Sequence, residues 1–209
     1  MRKLLIVLLI SGIAISCQEN QNDKYKDFYT ILDELLRYNY YDADLVILEL
    51  KKVYSDPIIT LDINGDTVNN IPSVPPPGMV HYDKDFFTFL FSQKLIDSMD
   101  TEFMFNQIDT IRNFCLNPSN IDRQTLHISE LDSLLKEFGV DSTYNYLNVN
   151  YNAFSFIEIS TPIVSKDGRR FLFDVEYHCG GLCGSGETYL FENRNNKWRI
   201  IFSKHNWVS

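Results

Sequence analysis

Residues 170–179, RFLFDVEYHC, decide the fold that this sequence predicts. Apolar and polar side chains alternate along most of this stretch, which is typical of a β-strand with one buried face and one solvated face. The first face carries Phe171, Phe173, Val175 and Tyr177, and the second carries Leu172, Asp174, Glu176 and His178. We therefore expect the first set to pack on a core and the second to face water.

The segments around this strand predict an antiparallel meander of four strands. A strand over 154–165 precedes it, and Lys166-Asp167-Gly168 supplies the residues of a hairpin turn. Two further strands are predicted over 187–192 and 198–204, separated by a turn. Antiparallel neighbours are expected throughout because each connection is short.

The first two thirds of the chain predict mainly helices. Apolar residues recur at helical spacing over 24–38, 100–112 and 129–138, whereas 45–54 favours a strand and 83–96 is ambiguous. Asp100 and Ser129 are the predicted N-caps of the second and third helices, and Gly139 is the predicted end of the third. The whole pattern predicts an α+β domain, with the C-terminal meander covered on one side by N-terminal helices.

The N-terminus predicts a lipoprotein signal peptide over residues 1–16. Two cations at Arg2 and Lys3 precede a short apolar run, and small residues lead to a cysteine in Ala14-Ile15-Ser16-Cys17. This resembles a lipobox, so we expect cleavage after Ser16 and acylation of Cys17. The alternative is an ordinary secretory signal followed by a chance cysteine. Several acyl chains on Cys17 would hold the mature protein on its membrane.

Composition and charge predict the domain boundaries and make one class of partner unfavourable. Residues 17–24 are polar and predict a tether, 25–209 predict one domain, and the proline-rich stretch 57–82 predicts a long surface loop. Signal-peptide removal would take two of 19 basic residues and none of 28 acidic ones, which leaves a net charge of −11. Nucleic acid is a poor partner for such a chain.

Cysteine chemistry follows from export. With Cys17 acylated, Cys115, Cys179 and Cys183 remain in an oxidising compartment. The close pair Cys179 and Cys183 predicts a local disulfide, and Cys115, on an apolar helical face with Ile108, predicts a buried thiol.

Two further sites are conceivable in the last third of the chain. The glycines between Cys179 and Gly186 could expose amides to an anion, although a disulfide-pinned connection between strands explains them as well. The side chains of Asp174, Glu176 and His178 project from one strand face and could hold a divalent cation, although a solvated sheet face also accounts for them. Trp207 either clamps the terminus or is exposed to a ligand.

The C-terminal block is similar to a group of uncharacterised Gram-negative bacterial lipoproteins. The shared pattern is Phe154-Ser155, Thr161-Pro162-Ile163, a Cys-Gly-x-Leu-Cys-Gly-x-Gly segment over 179–186, Lys197-Trp198-Arg199 and Trp207-Val208-Ser209, with a helix at 100–108. The resemblance covers the last sixty residues well and implies a shared fold, without implying an activity.

The sequence-based hypothesis is a noncatalytic, lipid-anchored module that binds an envelope protein or an extracellular ligand. It is expected on a membrane facing the periplasm or the cell surface, with the outer membrane favoured, and no cofactor is expected. One alternative is a small envelope enzyme or metal-dependent protein that uses Asp174, Glu176 and His178. Another is an antagonist of a basic toxin or hydrolase, recognised through its acidic surface.

Overall fold

The computed structural model describes residues 25–37, 43–55, 80–108, 110 and 114–209. The predicted signal peptide (1–16), the tether (17–24), Cys17 and nearly all of the proline-rich loop lie outside these residues. Among the described residues, no helix combines the length and apolar composition that a bilayer crossing requires.

Within the described ranges, five α-helices precede the C-terminal strands. They are α1 (Lys26–Arg37), α2 (Lys84–Ser92), α3 (Ser98–Gln107), α4 (Ile128–Phe138) and α5 (Val140–Tyr151). The strands are β1 (Leu45–Ile47), β2 (Val53–Tyr54), β3 (Val80–His81), β4 (Gln124–Leu126), β5 (Phe156–Ile159), β6 (Ile163–Val164), β7 (Arg170–Gly180), β8 (Cys183–Arg194) and β9 (Lys197–Val208).

The main sheet has seven strands, in the order β4-β1-β5-β7-β8-β9, with β6 paired to β7. Strands β5, β7, β8 and β9 are antiparallel neighbours, which confirms the predicted meander and the α+β class. Strand β1 runs parallel to both β4 and β5, so the sheet is mixed. Strands β2 and β3 form a separate parallel pair.

Helices cover both faces of the sheet rather than one. On the first face, α1 packs on Phe171 and Phe173. On the second, α2 and α3 pack on Leu172 and Leu190. Helices α4 and α5 pack on Leu45, Ile47 and Phe156. Because Phe156 lies directly opposite His178, this third cluster shares the second face.

The second face of β7 is therefore buried, and the prediction that it faces water is wrong. Asp174 is 6% exposed and Glu176 is 5% exposed. Polar residues at alternate positions suggested solvent, but here Asp174 accepts a hydrogen bond from Tyr82, just after β3, and Glu176 forms an ion pair with Lys51, between β1 and β2. Buried charges are tolerated only with such partners.

Several local predictions need correction. Helix α3 begins at Ser98 and is capped by Asp97, whose carboxylate accepts the Asp100 N–H, so Asp100 lies inside the helix. Helix α4 begins at Ile128, before the predicted cap Ser129, and the Glu49 carboxylate accepts the Ile128 N–H. A side chain from outside the helix thus does the work that a local cap was expected to do.

The prediction for Gly139 is confirmed, whereas the prediction that Cys115 lies on a helix is wrong. Gly139 ends α4 with a φ of +73°, as predicted, and α5 follows it directly. Cys115 lies in an antiparallel bridge opposite Glu49 rather than on a helix, and its half-buried thiol packs on the first core cluster.

Candidate functional site

The buried polar side chains on the second face of β7 fall into two groups, and Asp174 belongs to the first. The Tyr82 hydroxyl donates to Asp174 Oδ1 at 2.6 Å, and the Asp174 N–H donates to Ser160 Oγ at 2.8 Å. Burial, together with the negative charge of Glu176, raises the pKa of Asp174 to about 6. Burial and the adjacent Asp174 also raise the pKa of Tyr82.

The second group joins Lys51, Glu158, Glu176 and His178. The Lys51 ammonium lies 2.7 Å from Glu176 Oε2 and 3.0 Å from Glu158 Oε2. His178 Nε2 lies 3.0 Å from Glu158 Oε2 and 3.6 Å from Glu176 Oε2. Glu158 and Glu176 are register partners on β5 and β7, so the strand pairing itself brings the two carboxylates together. We call these four residues the His178 cluster.

The acidic and basic groups of the His178 cluster stabilise one another in their charged forms. Burial by itself would raise the pKa of Glu158 and Glu176, but contacts with His178 and Lys51 outweigh burial and hold both below their usual value. Burial likewise opposes a charged imidazole, yet the two carboxylates raise the pKa of His178. The cluster thus favours charged carboxylates next to two basic groups.

A row of four neighbouring rings borders the cluster. Tyr144 stacks on Phe156 with a centroid distance of 5.9 Å, and Phe156 stacks on His178 at 4.8 Å. Trp207 continues the row at 5.8 Å from His178. Tyr144, His178 and Trp207 are half-buried, so parts of their rings reach the solvent. The row runs from α5 across the sheet to β9.

Two glycines make room for Trp207 at the end of this row. A Cβ on Gly186 would overlap the indole, and a Cβ on Gly184 would lie 3.0 Å from Trp207 Cη2 and 2.7 Å from Tyr177 O. The Ser209 N–H donates to Gly184 O at 3.0 Å, which fixes the chain after Trp207. This geometry favours the clamp over a wholly exposed tryptophan.

The segment from Cys179 to Gly186 is not the loop of unpaired backbone amides that the sequence suggested. Residues from Cys183 onward belong to β8, where they pair with β7, and only Gly181 and Leu182 separate the two strands. The structure pairs Cys179 with Cys183 as a disulfide, with Cα atoms 5.0 Å apart. An anion nest needs amides that point away from a ladder, so this geometry does not provide one.

The structure brings together only part of the predicted metal set. Glu176 and His178 meet, but Asp174 is held by Tyr82, and Glu158 takes its place beside them. The local sequence could not identify Glu158 or Lys51, because Glu158 lies on β5 and Lys51 lies in an isolated bridge to Ser160, far from β7 in the chain. The strand pairing that joins them is set by burial on both sheet faces.

An open depression lies elsewhere, near the β4 edge of the sheet. It is lined by Ala43, Asp44, Asp122, Arg123, Gln124 and Asn152. It shares no residue with the His178 cluster or the ring row.

Protein-family models, curated proteins and solved structures all lack a significant match to this chain.

Proposed function

We propose that this protein is a lipid-anchored, noncatalytic module of the bacterial cell envelope that binds a ligand through the sheet face around His178. The Ala14-Ile15-Ser16-Cys17 sequence supports the anchor. The observation that carries the ligand site is the row of four rings, three of them half-buried, beside ion-paired carboxylates. Such a surface offers flat apolar contact next to fixed polar groups, as many ligand sites do.

Binding is favoured over catalysis by the contacts of the cluster. His178 contacts two carboxylates and two aromatic rings among the described residues, so it lacks the hydroxyl or thiol partner of an activated nucleophile. Both carboxylates are ion-paired with the Lys51 ammonium and lie next to His178. These ion pairs therefore fix the positions of the side chains on this surface.

The anchor is tested by a Cys17→Ala variant of the full chain. We expect it to lose membrane attachment and palmitate labelling while its domain keeps its far-ultraviolet circular dichroism spectrum. Palmitate labelling at the wild-type level would overturn the lipid anchor at Cys17.

The ligand site is tested by recovering what copurifies with the mature protein from its native envelope. Wild-type protein and a Phe154→Ala control should retain the same component, since Phe154 is exposed and lies outside the ring row. Trp207→Ala and His178→Ala should lose it while remaining folded. Equal recovery with all four proteins would overturn the site. A single tightly bound basic protein would favour the antagonist alternative.

A further inference from the structure

We propose that Glu158, Glu176 and His178 form a binding site for a divalent cation such as Zn²⁺, which takes the place of the Lys51 ammonium. The site includes one residue of the ring row, but it stands without the ligand-binding function proposed above. It also differs from the set Asp174, Glu176 and His178 that the sequence suggested.

The spacing of the donor atoms suits one cation. One donor atom from each of Glu158, Glu176 and His178 lies within 4.8 Å of the others. The His178 Nε2 atom is 3.0 Å and 3.6 Å from the two carboxylate Oε2 atoms. Ligands of a tetrahedral Zn²⁺ at about 2.1 Å are separated by about 3.4 Å, so small side-chain shifts would suffice. Histidine nitrogen and carboxylate oxygen are both ligand types that bind Zn²⁺.

The imidazole supplies an independent indication. Nε2 of His178 is buried and has no hydrogen-bond partner among the described residues, because its close carboxylates are not aligned to accept from it. Phe156 stacks on the ring at 4.8 Å, and Trp207 contacts it at a tilt with a centroid distance of 5.8 Å, so both restrict its orientation. A cation could bind this nitrogen in place of its proton, because the ring is already oriented toward two carboxylates and binding would release the proton to solvent.

Lys51 shows that the cluster already attracts positive charge. Its ammonium contacts both carboxylates, and its side chain is 11% exposed. The Lys51 backbone is fixed by hydrogen bonds to Ile159 and Thr161. Binding would therefore require the flexible Lys51 side chain and the His178 proton to leave, and the divalent cation would supply the positive charge that they remove.

The test is titration of the mature, full-length protein with Zn²⁺ by calorimetry and with Co²⁺ by visible absorption. We expect one site per chain and a Co²⁺ spectrum of low coordination number. Lys51→Met should bind Zn²⁺ severalfold more tightly than the wild type, because the competing ammonium is gone. A variant that failed to fold could not produce this gain.

Glu158→Gln and His178→Ala should weaken Zn²⁺ binding by about tenfold or more. His205→Ala is the matched control, because His205 lies outside the cluster and pairs with Glu187 at a distance of 2.8 Å. The Zn²⁺ affinity of this variant should equal that of the wild type. The inference is overturned if neither the wild type nor Lys51→Met binds a stoichiometric cation, or if the cluster variants bind as the wild type does. Loss of cation binding alone would leave the recovery test of the envelope ligand unaffected, so the two proposals fail separately.

Discussion

The indole of Trp207 lies directly against the backbone of Gly186. A Cβ at position 186 would overlap Nε1 and Cδ1 of the ring, so only glycine fits beneath it. The two residues are register partners on β8 and β9. The glycine-rich pattern suggested a ligand-binding loop, but its glycine at position 186 instead leaves space for the Trp207 ring beside His178.

Gly186→Ala should destabilise the protein by about 1–3 kcal/mol, because the added methyl must displace the ring or the strand. Urea unfolding measures this change. In a Trp207→Ala background the same substitution should cost much less, since the overlapping ring is absent. An equal cost in both backgrounds would mean that the glycine is required for another reason.

Asp97 and Asp100 should respond differently to the same substitution. Asp100 is 3% exposed; its carboxylate accepts the Lys166 N–H at 2.9 Å and pairs with Arg170 at 3.1 Å. Asp100→Asn should cost about 2–4 kcal/mol of unfolding free energy, because it breaks a buried ion pair.

Asp97→Asn should change the unfolding free energy by less than about 0.5 kcal/mol, since asparagine caps helices as well as aspartate does. Thermal or urea unfolding of the two variants provides the comparison. Similar costs for both would contradict the assignment of Asp97 as the cap and Asp100 as the buried ion-pair partner.

Asp174 should make the protein less stable as pH rises. Its pKa is raised from 3.8 to about 6, so the folded state holds this proton more tightly than the unfolded chain does. Its contribution to the unfolding free energy is greatest below about pH 4 and is lost as pH rises to about 6, by an amount on the order of 2–3 kcal/mol.

Asp174→Asn removes this titration while keeping an oxygen for the Tyr82 hydroxyl. The unfolding free energy of the wild type relative to the variant should therefore be lower at pH 7 than at pH 4. Glu158 and Glu176 titrate in both proteins, so their opposite dependence largely cancels in the difference. A difference that does not vary with pH would rule out the raised pKa.

The disulfide predicts a definite thiol count. The mature wild-type protein, unfolded without reductant, should react with one maleimide at Cys115, and with three after reduction. Three reactive thiols before reduction would exclude the bridge. The ring is small, so the bridge should contribute only about 2 kcal/mol to stability.

Strand and helix periodicity were sufficient to predict the class of fold. The alternation in 170–179 and the turn at Lys166-Asp167-Gly168 gave the meander, and the apolar spacing in 24–38 gave α1. These signals are local, because each depends on which side of one element is buried. Parallel pairing of β1 with β4 and β5 was not predictable, since it joins segments far apart in the chain.

The residues of the candidate site could not all be predicted, because they too come from segments far apart in the chain. Glu176 and His178 share a strand face and could be named from their spacing, whereas Glu158 reaches them only through the β5–β7 register. Lys51 comes from an isolated bridge to Ser160. A buried polar face has the same sequence pattern as one that faces water, so the burial of Asp174 and Glu176 could not be inferred.

The most direct test of the proposed binding face is hydroxyl-radical footprinting of the protein in its native envelope and after purification. We expect Tyr144, His178 and Trp207 to be oxidised severalfold more slowly in the envelope, where the ligand covers them. Phe154 and Leu182, which are 62% and 91% exposed, should react at the same rate in both states. Equal oxidation of the three ring-row residues in the two states would contradict the claim that this face binds a ligand.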